Sequence, residues 1–330
     1  MSLKTFEFHG MIFNGESGNE RYGNCIFCGK QNKLYVNEKT FLWNCRKCGK
    51  KGNLYGFLKE VSKIYSTNIN HDASAELAKF RELPIPAFMN YSIGLSGNKY
   101  MFPIMDEYGK VVDIRWYIPG GVVMSTTGCK VFPFMGHQIA SNDTVYLCEG
   151  EWDTIALNYI LRVTRTSAIA IGLPGVQTFK NEWIQLFRGK YVYVCFDNDD
   201  AGRQGELQIQ EKLSGIAKEL LFHKWSSDTP DKWDINKAIS TNLRSDISPE
   251  HILESLTSSL ANNPVLQKTE KIFDPQKSGR DKTKLKSITR SALIAGFKKW
   301  LYMTNTDALS IMFCTIFANQ IEGDPIWLFM

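Results

Sequence analysis

The 330-residue sequence lacks the features that would place it in a membrane or export it. No run reaches the roughly 18 apolar residues of a membrane span, and the longest apolar stretch, 308–318, is interrupted by hydroxyl side chains. Residues 1–10 include Lys4, Glu7 and His9 and no apolar core, which excludes a secretory signal. We therefore expect a cytoplasmic chain that has no membrane partner. Its eight cysteines then lie in a reducing compartment, where paired cysteines indicate a metal before a disulfide.

The sequence also has little net charge, +5, but that charge is unevenly distributed. Residues 20–63 and 268–299 each carry ten basic and three acidic residues, a net charge of +7. Residues 141–260 carry twelve basic and seventeen acidic residues, a net charge of −5. This order suits a chain that holds a polyanion at its flanks and cations at its centre. Ordinary solvated surface charge is the alternative for each segment.

Hydrophobic periodicity divides the chain into regions of different type. Helical spacing predicts helices over 52–63 and 71–81, and short β-like runs with Gly punctuation occupy 91–134 (KYMFPIM, KVVDIRWYI, GVVMS and KVFPF). From residue 142, apolar strands alternate with helices, which predicts βαβ units and a parallel sheet buried on both faces. The predicted strands there are VYLCEG, SAIAIG, YVYVCFD and 217–225, and the predicted helices are 152–162, 181–187 and 201–216.

The last part of the chain differs in composition from the rest. Residues 261–285 are polar with two prolines and read as a linker, and helical periodicity returns over 286–318. The final GDPIWLFM is typical of the start of a buried strand, so we expect the parent protein to continue. We expect an α/β chain with five parts: a metal-binding domain (1–65), a mixed α/β basic subdomain (66–140), a parallel-sheet domain (141–260), a linker (261–285) and a helical segment (286–330).

Four cysteines have the spacing of a zinc ribbon. Two CxxC pairs, Cys25/Cys28 and Cys45/Cys48, are separated by 16 residues, and each pair is followed by glycine. Two such knuckles present four thiolates to one tetrahedral zinc ion, and the segment between them reads as a β-hairpin. So short a module cannot build its own core, so the metal supplies much of its folding energy.

The same module has aromatic and basic residues in alternation. Such a pattern suits stacking on unpaired bases beside neutralised phosphates, with Trp43, Arg46 and Lys47 as the principal candidates. The alternative is that zinc only holds the fold together. On sequence alone both interpretations remain open.

Acidic residues follow three of the predicted elements of the parallel-sheet region. They are Glu149 with Asp153, then Asp197 with Asp199 and Asp200, then Asp231 and Asp234. Ligand sites of open parallel sheets lie at the carboxyl ends of the strands, where these carboxylates would converge and repel one another without cations. Magnesium fits such a site and can assist phosphoryl transfer. The alternative is that Asp197 or Asp200 is only a helix N-cap.

These motifs together resemble a known family. The order EGExD, LPGV (173–176) and FDNDDAGRQG resembles the TOPRIM domain of primases, topoisomerases and related nucleases. A four-cysteine ribbon ahead of it is similar to DnaG-type primases and more closely to phage primase-helicases and mitochondrial Twinkle. FPIMDEYGKVVDIRWYIPG and KWDINKAI resemble the basic subdomain and the third acidic motif of those proteins, and the resemblance covers about 20–240. GDPIWLFM resembles the strand before a Walker A loop, but no GxxxxGK[ST] occurs here.

The resemblance implies roles for individual residues. Glu149 would be a metal ligand or general base, Asp197 and Asp199 would hold Mg²⁺ (or Mn²⁺), Asp234 would be the third acidic position, and Asp153 would support the site. It also implies a basic group that binds nucleotide phosphates or template: Arg115 and Lys130, with Arg203 and Lys190 as weaker candidates. The chain departs from DnaG in having cysteine at all four zinc positions, which favours the phage and Twinkle branch.

The activity that the resemblance implies is de novo primer synthesis on single-stranded DNA from nucleoside triphosphates, in the primase part of a phage primase-helicase, with the replicative helicase as partner in cis. Two alternatives remain. One is a non-catalytic module that binds single strands and loads a helicase, and the other is a TOPRIM metal-dependent nuclease. Loss of an acid would favour the non-catalytic module, but every acid of the pattern is present.

Overall fold

A computed structural model describes residues 3–263 of the chain. The predictions for residues 264–330, including most of the linker and all of the C-terminal helical segment, lie outside the described residues. Three β-sheets organise the described part. None of its helices is both long and apolar enough to cross a membrane.

The cysteine-containing module is an antiparallel sheet of five short strands in chain order. The predicted hairpin between the cysteine pairs is confirmed as strands β3 and β4, while β1, β2 and β5 extend it beyond what hydrophobic alternation indicates. A short helix, α1 (Leu3–Phe8), precedes the strands β1 (Phe13–Ser17), β2 (Glu20–Gly23), β3 (Leu34–Asn37), β4 (Trp43–Cys45) and β5 (Lys51–Gly52).

Two helices lead from this module into the basic subdomain. Asn53 caps the first helix by accepting a hydrogen bond from the Gly56 amide, and Asn70 caps the second in the same way. These helices are α2 (Leu54–Asn68) and α3 (His71–Arg81), and they pack beside a three-stranded antiparallel sheet of β6 (Gly94–Ser96), β7 (Lys99–Met105) and β8 (Val111–Tyr117). The predicted strands GVVMS and KVFPF are wrong, since each contributes only an isolated bridge, Trp116 to Met124 and Phe134 to Gly172.

The ribbon and the basic subdomain share one hydrophobic core. Phe57 of α2 contacts the aromatic rings of the ribbon, and two of the four clustered cysteines, Cys25 and Cys45, are buried in the same core as Met101 and Ile114 of the subdomain strands. Burial of apolar surface drives this association. The ribbon therefore does not stand apart from the body of the protein in this structure.

The third sheet confirms the predicted alternation of strands and helices. Its strand order is β10-β9-β11-β12-β13, in which the first four strands are parallel and β13 is antiparallel. The strands are β9 (Thr144–Cys148), β10 (Ile169–Gly172), β11 (Tyr191–Cys195), β12 (Glu219–His223) and β13 (Leu260–Ala261). The helices are α4 (Glu151–Val163), α5 (Asp200–Leu213), α6 (Ile235–Arg244) and α7 (Pro249–Ser258), and 181–187 is a 3₁₀-helix.

This strand order places a crevice between two particular strands. The chain passes from β9 outward to β10 on one side and then crosses to β11 on the other side of β9. Ligands of open parallel sheets bind where the order reverses in this way, outside the carboxyl ends of the strands. The reversal here lies between the ends of β9 and β11.

Candidate active site and metal centre

The first two acidic motifs meet at this reversal point. Glu149 directly follows β9, and Asp197 lies two residues after β11. The Asp197 amide donates a hydrogen bond of 2.9 Å to Glu149 Oε1. Gly202 allows this approach, because a Cβ there would overlap the Asp197 carbonyl oxygen and lie 2.9 Å from Glu149 Oε1. The acids predicted from separate motifs are therefore brought together.

Burial and mutual repulsion perturb this pair of carboxyl groups. Burial and, to a lesser extent, the charges of Asp153 and Glu149 together raise the pKa of Asp197 to about 9. Burial likewise raises the pKa of Glu149 to about 7, although the hydrogen bond from the Asp197 amide opposes the shift. Asp197 Oδ1 is buried and has no hydrogen-bond partner. A bound cation would satisfy this oxygen and relieve the repulsion.

Asp153 connects the first acidic motif with the third. It lies in the first turn of α4 and is almost completely buried, and its Oδ1 accepts a 3.0 Å hydrogen bond from the Asn236 amide. Burial raises the pKa of Asp153 to about 7, and the Asp234 carboxylate adds to the shift. The supporting position predicted for Asp153 therefore has a structural counterpart.

Asp199 and Asp234 are both helix N-caps. Asp199 Oδ1 accepts a 2.8 Å hydrogen bond from the Gly202 amide at the start of α5, and Asp234 Oδ1 accepts a 2.6 Å bond from the Lys237 amide at the start of α6. The capping role considered for Asp197 or Asp200 therefore belongs to Asp199. Each capping carboxylate keeps a second oxygen, although Lys237 Nζ lies 3.4 Å from that of Asp234.

The residues present fit a divalent cation. Magnesium takes one or two carboxylates together with waters and substrate phosphates, and Glu149 and Asp197 provide a carboxylate pair with one unsatisfied buried oxygen. Among the described residues, no three carboxyl groups have ligand oxygens that all lie within 4.8 Å of one another, so neither Asp199 nor Asp234 joins this pair around one common ion in this conformation.

A cavity of about 340 Å³ opens beside Glu149 and contains a residue that the sequence did not single out. The guanidinium of Arg81, the last residue of α3, stacks 4.2 Å from the Trp152 ring centroid, and its Nε is buried without a hydrogen-bond partner. Burial lowers the pKa of the Arg81 guanidinium, while the charges of Asp153 and Asp234 act to raise it. A single arginine at the end of a helix belongs to no recognisable motif, so the position of Arg81 at the site could not be predicted from the sequence.

The structure corrects the role predicted for Arg115. Its side chain lies at the same cavity but is only 2% exposed. It forms a buried ion pair with Glu151 and donates a 2.6 Å hydrogen bond to the Phe132 carbonyl. Direct binding of a phosphate by Arg115 is wrong for this conformation, because protein groups already occupy both terminal nitrogens.

The other predicted basic residues lie in different places. Lys190 precedes β11 and contacts Asp143 at 3.8 Å, so the length of that strand separates it from the acids, and its weaker candidacy for phosphate or template binding stays a prediction. Arg203 is exposed on α5 and pairs with Asp200 at 2.7 Å, close to the acidic group. Lys130 is exposed, with its Nζ 5.6 Å from the Phe132 ring centroid. Arg203 and Lys130 therefore remain candidates for polyanion contact.

The four cysteines converge as their spacing predicts. Their sulfur atoms all lie within 4.8 Å of one another, and Cys28 Sγ is 3.8 Å from Cys45 Sγ. A tetrahedral zinc with Zn–S bonds of about 2.3 Å requires sulfurs about 3.8 Å apart. The amides of Lys47 and Cys48 each lie 3.4 Å from Cys45 Sγ, where they favour a thiolate. The site therefore fits one zinc ion.

The surface of the ribbon differs from the prediction at one residue. Trp43 is 2% exposed, packs against Phe27 and Phe57, and donates its Nε1 hydrogen to the Asn53 carbonyl at 2.8 Å. It cannot stack on a base, so the predicted binding role of Trp43 is wrong. Arg46 and Lys47 are exposed, and the Arg46 guanidinium lies 3.7 Å from the Tyr35 ring centroid.

Comparison with known proteins supports one part of the resemblance directly. A family model described as Toprim-like matches residues 146–239, which contain the acidic motifs. This region is therefore similar to Toprim-like domains. An uncharacterized protein of Mycoplasma genitalium is 26% identical over 89 residues, which are 26% of this chain and 38% of that protein. The chain therefore spans well under half the length of this curated relative.

Several solved structures have a similar chain path. The Aquifex aeolicus primase, with its zinc-binding and RNA polymerase domains, is 15% identical with a TM-score of 0.47, and the match covers 78% of this chain and 83% of that one. The primase fragment of the bacteriophage T7 primase-helicase is 14% identical with a TM-score of 0.41, covering 72% and 98%. The E. coli primase catalytic core is 16% identical with a TM-score of 0.48, covering 63% and 80%.

Proposed function

We propose that this protein is a DNA primase that joins nucleotides de novo on a single-stranded template. The observation that carries the proposal is the buried Asp197 Oδ1, which has no partner and faces the repulsion of its acidic neighbours at the switch point of a Toprim-like sheet. Strongly perturbed buried carboxyl groups concentrate at functional sites, and a bound cation would satisfy this oxygen.

The proposed chemistry assigns a task to each group. The 3′-hydroxyl oxygen of one nucleotide attacks the α-phosphorus of a second, the bond to pyrophosphate breaks, and the hydroxyl loses its proton. As the alternative to ligating the metal, Glu149 is suited to accept that proton, since without a cation burial raises its pKa to about 7, near the working pH. Magnesium at Glu149, Asp197, Asp199 and Asp234 would neutralise phosphate charge and orient the reacting groups.

The template and nucleotide contacts of the proposal come from basic side chains. Arg81 lines the cavity beside Glu149 with its guanidinium stacked on Trp152, and we assign it to a phosphate. Arg46 and Lys47 on the ribbon, with Lys130 and Arg203, would neutralise the DNA backbone. The proposal includes the expected partners, which are nucleoside triphosphates, single-stranded DNA and a replicative helicase. It also includes the expected cytoplasmic setting and phage origin.

The test is primer synthesis by the full chain without any pre-existing 3′-end. Mixed-sequence single-stranded DNA, labelled NTPs or dNTPs, and Mg²⁺ or Mn²⁺ would be supplied to the wild type and to Asp197→Asn. Lys190→Ala serves as a matched control, because Lys190 lies at the opposite end of the same strand. We expect short products from the wild type and from Lys190→Ala but none from Asp197→Asn.

Other results would overturn the proposal. Intact DNA binding and zinc content without any product would favour the non-catalytic loading module. Cleavage of the template, lost in Asp197→Asn, would favour the nuclease. Equal synthesis by Asp197→Asn would remove Asp197 from the site.

A further inference from the structure

Arg115 joins the basic subdomain to the acidic motifs by contacts buried on all sides. It lies on β8, and its ion pair reaches Glu151, the first residue of α4. We propose that Arg115 is a positioning residue that, through Glu151, holds the Glu149 carboxylate against the Asp197 amide. This inference rests on the proposed function only in giving the positioning of Glu149 a catalytic purpose. Whether Arg115 holds Glu149 in place can be tested without any activity.

The link between Arg115 and Glu149 is short. Only Gly150 separates Glu149 from Glu151, and Gly150 is the N-cap of α4 but has no side chain to fix the turn. Two side chains hold this end of the helix: the ion pair anchors Glu151, and the Thr154 hydroxyl donates a 2.7 Å hydrogen bond to the Gly150 carbonyl. If Glu151 is released, the turn at Gly150 can shift, and the Glu149 carboxylate shifts with it.

Arg115 also fastens a second segment to the sheet. Its Nη2 donates to the Phe132 carbonyl at 2.6 Å, and two residues later Phe134 exchanges backbone hydrogen bonds of 2.8 and 3.0 Å with Gly172 at the end of β10. One planar guanidinium thus ties the ends of two neighbouring strands to β8. A lysine could not make both contacts in this geometry, since its ammonium lacks the rigid fork of donors.

The charge environment favours this structural task over a ligand contact. Asp113 is completely buried, and its Oδ2 lies 4.0 Å from Arg115 Nε, so the cation already faces carboxylates on two sides. An incoming phosphate would have to displace Glu151 and leave that carboxylate buried without a partner, which is costly. Arg81, which shares the cavity, stacks on Trp152 and faces the charges of Asp153 and Asp234.

The decisive readout is amide hydrogen exchange on peptides spanning 194–199, which contain the Asp197 amide bonded to Glu149. The variants are Arg115→Gln, Arg115→Lys and the double variant Arg115→Gln/Glu151→Gln, with Arg188→Gln as the matched control, an exposed arginine hydrogen-bonded to Gln185. Zinc content and thermal unfolding establish that each variant is folded. Mn²⁺ binding and the salt dependence of single-strand binding are measured in parallel.

We expect Arg115→Gln to exchange faster at 194–199 and to bind Mn²⁺ about 10- to 100-fold more weakly, with unchanged DNA affinity and salt dependence. The double variant should recover part of both losses, because it removes the unpaired buried charge of Glu151. If Arg115→Gln does not fold, Arg115→Lys keeps the charge and should show the same two effects more mildly.

Two results would overturn the inference. Unchanged exchange at 194–199 in a folded Arg115→Gln variant would show that Glu149 does not depend on Arg115. A loss of DNA or nucleotide affinity with a smaller salt dependence would make Arg115 a ligand contact instead. Failure of the wild type to bind Mn²⁺ or to make primers would reject the proposed function, whereas the exchange measurement would still decide the positioning role.

Discussion

Glu149 accepts a hydrogen bond from the backbone amide of Asp197, and this 2.9 Å contact joins the ends of β9 and β11. The two residues are 48 positions apart in the chain, yet the fold places them together. One carboxylate is thus held by the backbone of the other motif, while Asp197 Oδ1 stays unsatisfied. The site is preorganised and carries an electrostatic cost, an arrangement typical of functional sites.

That cost predicts a pH dependence of stability. Burial, with repulsion from Asp153 and Glu149, raises the pKa of Asp197 from 3.8 to about 9, so between these values the folded protein keeps a proton that the unfolded chain releases. The free energy of unfolding should therefore fall as the pH rises from about 4 to about 9, by at most about 1.4 kcal/mol per pH unit for this group.

Urea unfolding at several pH values measures this slope. The buffers should contain neither Mg²⁺ nor a chelator, so that the acids stay metal-free and the zinc remains bound. Asp197→Asn should flatten the slope, and added Mg²⁺ should stabilise the wild type most at high pH, where the carboxylates are charged. Identical slopes in the wild type and Asp197→Asn would show that Asp197 is not the strained group.

Gly202→Ala should damage the site through sterics alone. The new Cβ would overlap the Asp197 carbonyl oxygen and lie 2.9 Å from Glu149 Oε1, so the two acids must separate. We expect a lower melting temperature and weaker Mn²⁺ binding. The matched control is Gly56→Ala in α2, where the nearest atom, Asn53 Oδ1, is 3.6 Å from the added Cβ and where alanine should stabilise the helix by up to about 1 kcal/mol. Equal effects in the two variants would contradict the steric argument.

Sequence patterns predicted the elements whose apolar residues repeat regularly. The limits of α3 (71–81) and of β7 (the KYMFPIM run) coincide with the prediction, and the parallel sheet follows from its alternating strands and helices. The strands β1 and β2 escaped prediction because their residues are mostly half-buried or exposed and show no clear alternation. Elements that bury residues at regular intervals can be predicted from the spacing of apolar residues in the sequence, whereas edge strands with irregular burial cannot.

The candidate site was predictable in its acids but not in its arginines. Acids that follow parallel strands must meet at one edge of the sheet, so topology alone gathers Glu149 and Asp197. The partner of an arginine depends on which side chain lies within a few ångströms of it in the folded protein. The spacing of residues along the sequence does not give these three-dimensional distances. Arg115 therefore turned out to be paired, Arg81 was missed, and Trp43 turned inward because the shared core has room for its ring.

DNA binding should depend on the ribbon surface and not on the far end of the parallel sheet. We expect Arg46→Ala and Lys47→Ala each to weaken single-strand binding and to reduce the slope of affinity against salt by roughly one phosphate. Fluorescence anisotropy at several salt concentrations measures both quantities. Lys190→Ala is the control, because Lys190 lies beside Asp143 away from the acids. A loss confined to Lys190→Ala would place the binding surface elsewhere.

Zinc should stabilise the basic subdomain as well as the ribbon. Cys25 and Cys45 are buried in the core that also contains Met101 and Ile114, so loss of the metal disturbs the subdomain as well. We expect about one zinc per chain, lost in Cys45→Ser together with a lower melting temperature and faster amide exchange in α2. Cys129→Ser lies outside the cluster and should retain the metal. Faster exchange restricted to residues before α2 would show that the ribbon is energetically separate.

Asp199 provides the clearest separation of a structural role from a functional one. Its Oδ1 caps α5 by accepting the Gly202 amide, and asparagine caps helices as well as aspartate does. Asp199→Asn should therefore keep the melting temperature of the wild type but lose Mn²⁺ affinity and primer synthesis, because only the charge is removed. Asp199→Ala should lose the same functions and also about 1 kcal/mol of stability. If Asp199→Asn retains full metal affinity and synthesis, Asp199 is a helix cap and nothing more, and the metal set reduces to Glu149, Asp197 and Asp234.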